Sequence, residues 1–132
     1  MSGKQLTGYH LSMFGLVFLI FGLPYVFGLP FNLEDISKTI SFYFIFCILW
    51  DFLWFVLNPY YPLKKFKKEH LDFHHPKWFL GVPTDYWGGL IVSFLVLLPA
   101  YLINPYLLSW WGINIGMFAI ETLFLINEST RN

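Results

Sequence analysis

Apolar residues run along this chain in four long blocks, at about 9–29, 39–58, 86–103 and 106–126. Between them lie stretches in which Pro, Asn and charged residues gather. Each block approaches the ~20 residues that carry a helix across about 30 Å of hydrocarbon. Lipid offers the backbone no hydrogen bonds, so such blocks fold as helices rather than open strands. The pattern predicts an all-α integral membrane protein, a four-transmembrane-helix bundle forming a single membrane domain over 1–132. Pro24 and Pro99 fall inside the first and third blocks and are expected to bend their far ends. The third and fourth blocks are joined by few residues and are expected to form an antiparallel hairpin. The first block is read as a retained helix, because it is long enough to span and lacks a clear small-x-small cleavage site.

The longest stretch outside the blocks is 59–85. Within it Leu63, Phe66, His70 and Phe73 follow at spacings of three, four and three, one stripe of a helix. Lys64, Lys65 and Lys68 fall mostly off that stripe. This predicts a short amphipathic helix lying at the headgroups, its lysines drawn to anionic lipid. Orientation follows from the same lysines. Lys64, Lys65, Lys67, Lys68 and Lys77 share one connection, and with an even number of spans Lys4 and Arg131 join them on that side. Only Lys38 opposes them, beside Glu34 and Asp35. The expected arrangement is multi-pass with both termini in the cytoplasm.

Composition agrees with a lipid-facing surface. Of 132 residues, 57% are hydrophobic and 12% charged, with a mean hydropathy of +0.58. Soluble domains carry roughly 25% charged residues, about twice this supply. Net charge is zero and five of the eight basic residues cluster in one loop, which leaves no broad basic face for nucleic acid. The aromatic share of 23% suits belts at both interfaces and also a flat or lipid-like ligand. The single Cys47 excludes an internal disulfide.

Two acids lie within the blocks. Asp51 precedes Asn58 by seven residues and Glu121 precedes Ile126 by five, roughly 10 Å and 8 Å along their helices. With both helices running the same way, the two carboxylates are expected at a shared depth. A charge there costs at least ~2.5–3.5 kcal/mol unless it is paired, neutralised or wetted, which makes both residues candidates for function. Asp51, Trp54 and Asn58 are spaced three and four apart, as are Asn114, Met117 and Glu121. Facing stripes would give a vestibule in which Asp51 and Glu121 act as acid and base and Trp54, Asn58 and Asn114 hold a ligand. The structural alternative is that the two acids, protonated, join helices by hydrogen bonds.

His70, His74 and His75 lie in the connection beneath that vestibule, with Asp85 shortly after. The spacing His-x-x-x-His-His resembles one histidine box of the membrane-bound fatty acid desaturases and hydroxylases. In that family such boxes ligate a di-iron centre at the cytoplasmic membrane face and oxidise lipid chains. The resemblance covers residues 70–75, and the one other histidine, His10, is too few for a full histidine-ligated pair of irons. The residues themselves leave a smaller expectation, one divalent transition metal held by His74, His75 and Asp85 with a carboxylate from the spans, since mixed nitrogen and oxygen ligands suit Zn, Fe or Mn. A small membrane protein acting on or binding a lipid-like molecule is the first functional reading. The rivals are an accessory subunit of a larger membrane complex and a small proton-coupled carrier. Gly112 and Gly116 permit close helix approach and make a homodimer one form of partner.

Overall fold

A computed structural model describes residues 8–57, 69 and 77–131 of the chain. The described part is mostly helical. Helix α1 covers Gly8–Val26 and α2 covers Leu33–Leu57. A two-stranded antiparallel hairpin, β1 (Trp78–Phe79) and β2 (Val82–Pro83), leads into α3 (Thr84–Leu95). A short α4 (Leu98–Tyr101) and a long α5 (Leu107–Arg131) complete it. Among the described residues, Leu33–Trp54, Thr84–Tyr101 and Leu107–Asn127 are long and apolar enough to cross a membrane, and the apolar stretch Leu11–Val26 of α1 is shorter. The interfacial helix expected around residues 63–73 lies outside the described residues.

The boundaries have local causes. At the end of α1, Gly28 adopts a φ of 110°, its N–H bonds the Tyr25 carbonyl and the Leu29 N–H bonds the Pro24 carbonyl. That is a glycine-terminated Schellman ending, which only a residue without a Cβ adopts cheaply. Helix α2 begins six residues earlier than the apolar block. Asn32 caps it, accepting from the Asp35 N–H at 2.8 Å while its amide donates to the Asp35 carboxylate at 2.6 Å. Glu34 and Asp35 then sit in the first turn, where the helix dipole favours acids. Lys38 pairs with Glu34 at 2.7 Å and lies 3.8 Å from Asp35. Charged residues that read as a loop are thus the capped start of a helix.

The third block is not one helix. It breaks at Val96–Leu97, where the Leu97 N–H reaches back only to Phe94. Pro99, in the first turn of α4, has no N–H to return to Leu95, which is the physical reason for a break one turn ahead of it. The β-hairpin before α3 turns through Leu80 and Gly81, both at positive φ, in the primed geometry that matches strand twist. Thr84 closes this unit onto Lys77, and the Trp87 indole donates to the Phe79 carbonyl at 3.0 Å.

Helix α2 is the hub, packing chiefly on α3, then on α5, and touching α1 and α4. Its approach to α3 is close because Gly89 faces Ile48. A Cβ built at Gly89 would lie 2.7 Å from Ile48 Cδ1. Small buried Ser37 and Ser41 continue the same side of α2, and Leu97, Ala100 and Leu107 are fully enclosed. On its other side Phe42 links two neighbours, stacking at 5.5 Å on Phe21 of α1 and at 5.6 Å on Phe118 of α5. The Trp111 indole donates to Ser93 Oγ at 3.0 Å and ties α5 to α3.

This packing predicts opposite outcomes for two small residues. Gly89→Leu should destabilise the protein by about 1–3 kcal/mol through overpacking against Ile48. Ser41→Ala should cost nothing, since the enclosed Ser41 hydroxyl has no hydrogen-bond partner among the described residues and its removal deletes an unmet polar group. Unfolding of both variants by denaturing detergent titration, followed by circular dichroism, measures the difference.

Candidate functional site

Asp51 emerges on α2 one turn beyond Ile48, and the α2–α3 contact carries α3's first turn up to it. There the Tyr86 hydroxyl donates to Asp51 Oδ2 at 2.7 Å. Tyr86 is itself buried, while Asp51 is half-buried. A carboxylate offers about four acceptor positions, and a tyrosine O–H fills one of them. Asp85, next to Tyr86, is exposed in the first turn of α3, so two carboxylates share this end of the helix pair. Trp54, one turn beyond Asp51, is 47% exposed.

The opposite end of α2 carries a second polar tie. Glu34 Oε1 accepts from Lys38 and from the Asn104 amide at 2.8 Å, and Asn104 lies in the turn before α5. Glu34 and Asp51 are seventeen residues apart on α2, about 25 Å of helix, slightly less than the hydrocarbon thickness. With the Glu34 cluster at one headgroup level, Asp51 falls near the other boundary rather than deep in the bilayer.

The candidate residues from α5 are differently placed. Asn114 is buried and donates to the Trp110 carbonyl at 2.8 Å, a bond within its own helix. Glu121 is exposed. The contacts Glu34–Asn104 and Phe42–Phe118 show α2 and α5 running in the same direction. Asp51 lies nine residues beyond Phe42 and Glu121 only three beyond Phe118, an offset of six residues or about 9 Å. Counted from Glu34–Asn104 instead, both acids lie seventeen residues on, so the two contacts bracket the offset between zero and about 9 Å. Helix α5 continues to Arg131, past the apolar block. Asn58, His74 and His75 lie outside the described residues, and among the described residues no three His, Cys, Asp or Glu side chains form a group able to hold a metal ion.

Tyr86 was not singled out by sequence pattern, although it stands at the start of an apolar block on the same side as Asp51's end of α2. That placement was the available signal. No protein-family model, no curated protein and no solved structure matches the chain.

The register can be tested with cysteine pairs in a Cys47→Ser background. Phe42→Cys with Phe118→Cys should cross-link readily under mild oxidation, and Asp51→Cys with Glu121→Cys should not. Equal cross-linking of the two pairs, read on a non-reducing gel, would show the acids to be level.

Proposed function

We propose that this chain is a four-span membrane protein with cytoplasmic termini that binds or acts on a lipid-like amphiphile at a site built around Asp51. The observation that carries the reading is the bond from buried Tyr86 to Asp51, which fixes a half-buried carboxylate near a membrane boundary beside a second acid, Asp85. Acids within spans mark substrate, ion or proton sites, and Asp51 lies towards the end of one. Trp54 borders the carboxylate with an exposed aromatic surface suited to an apolar or cationic group. The lysines of 59–85 support a cytoplasmic placement for this end. In the fullest form of the proposal, His74 and His75 approach from that connection and join Asp85 and Asp51 around one divalent transition metal, with Asn58 orienting the ligand.

A second reading, an accessory subunit of a larger membrane complex or a homodimer, is favoured by α5. Nearly all of its span is unburied, and Glu121 is exposed within it, where a partner would spare a carboxylate from lipid.

One preparation tests both. The wild type, purified in mild detergent, should carry a co-purifying lipid-like species and one metal ion per chain by mass spectrometry of extracts and by elemental analysis. Asp51→Asn should lose them while keeping its helical circular dichroism. A stable wild type with the same contents as the variant would overturn the Asp51 reading. Migration on a native gel with further subunits would favour the accessory role, and migration as a lone chain would remove it.

A further inference from the structure

A groove of about 670 Å³ opens between α1 and α2, away from Asp51 and towards the Glu34 end of α2. Its walls include Phe18, Phe21 and Gly22 of α1 and Ile36, Ile40 and Phe44 of α2, with Tyr25 and Thr39 facing each other across it. The volume lies within the ~300–1,000 Å³ typical of small-molecule sites. From Ile36 to Phe44 the groove follows α2 for eight residues, about 12 Å. One leaflet of hydrocarbon is about 15 Å deep, half of the whole core. The end near Ile36 adjoins Glu34, Asp35 and Lys38, whose ion pairs belong at headgroup level. The groove therefore has the depth and orientation of a lipid tail hanging from one interface.

Its polar pair adds a direction. Thr39 Oγ1 donates its one proton to the Asp35 carbonyl at 2.9 Å. When that bond is made, the 2.6 Å contact between Tyr25 Oη and Thr39 Oγ1 is donated by the tyrosine. In this arrangement both protons are committed, and the Tyr25 oxygen keeps acceptor capacity alone. A head group that donates a hydrogen bond complements it; an ether or ester oxygen does not.

We propose that the α1–α2 groove binds a single-chain amphiphile with a hydroxyl head, its tail between Phe21 and Phe44 and its O–H donated to Tyr25 Oη. This goes beyond the Asp51 site and stands whether or not that site binds anything. Gly22 makes the groove accessible, since a Cβ there meets no atom within 4 Å and a larger side chain would enter the open space.

The test is binding of tritiated hexadecanol to the full chain in phosphatidylcholine nanodiscs, with unlabelled hexadecanol or hexadecyl methyl ether as competitor. The two competitors share a tail and differ in the donated proton. Saturable binding is expected, with the ether about tenfold weaker, the worth of one hydrogen bond. Tyr25→Phe should erase that difference, and Gly22→Phe should weaken both ligands about tenfold, with circular dichroism confirming folding. Equal competition by the ether in the wild type, or no saturable binding because bulk lipid fills the groove, would overturn the proposal. Loss of binding in Asp51→Asn with full binding in Gly22→Phe would move the ligand to Asp51, overturning the groove while leaving the function reading intact.

Discussion

The hydrogen bond from Tyr86 to Asp51 ties α3 to α2, the helix that the others touch. It joins the two helices that pack most closely, α2 and α3, at the end where Gly89 lets Ile48 approach. In hydrocarbon there is no hydrophobic force to bring helices together, so packing and interhelical hydrogen bonds decide which faces meet. Few residues are enclosed here, with Val17, Ile45, Tyr86, Leu97, Ala100 and Leu107 forming the apolar core. A polar tie at each end of α2, Asp51–Tyr86 and Glu34–Asn104, therefore has unusual weight in fixing rotation and register. Phe42 then sets the position of α1 and α5 on the remaining sides.

The same division separates structure from chemistry along α2. The side turned to α3 carries small or aliphatic residues, Ser37, Ser41, Ile45 and Ile48, and serves packing. The open sides carry what a ligand could meet. Towards the Glu34 end there is an aromatic groove edged by hydroxyls, and towards the far end a half-buried carboxylate with an indole beside it. Helix α5 contributes less to either, and its span is little buried, with Glu121 exposed on it.

Much of this was legible in the residues. The apolar blocks give the helices, since nothing but a helix satisfies the backbone over such lengths in lipid. Pro99 implies a bend at the far end of the third block, whereas the helix breaks outright one turn earlier, at Val96–Leu97, because the missing donor is felt by the preceding turn. The start of α2 was obscured: Glu34, Asp35 and Lys38 look like loop residues until Asn32 is recognised as a cap. Asp51 announced itself as a polar residue among apolar ones, whereas Tyr86 did not, because a tyrosine at the edge of an apolar block is commonplace at an interface. The level of Glu121 relative to Asp51 could not be counted from helix ends, as it depends on which rings interlock between α2 and α5. Sequence spacing carries the faces of a helix but not its slide past a neighbour.

Asp51 and Tyr86 act as a bonded pair across α2 and α3, and a double-mutant cycle addresses this directly. Unfolding free energies of Asp51→Asn, Tyr86→Phe and the double variant should reveal a coupling of about 0.5–2 kcal/mol, the range for interhelical hydrogen bonds in membranes. Additive single effects, within error, would mean that the two side chains do not share a bond and that the α2–α3 register described for this protein is wrong.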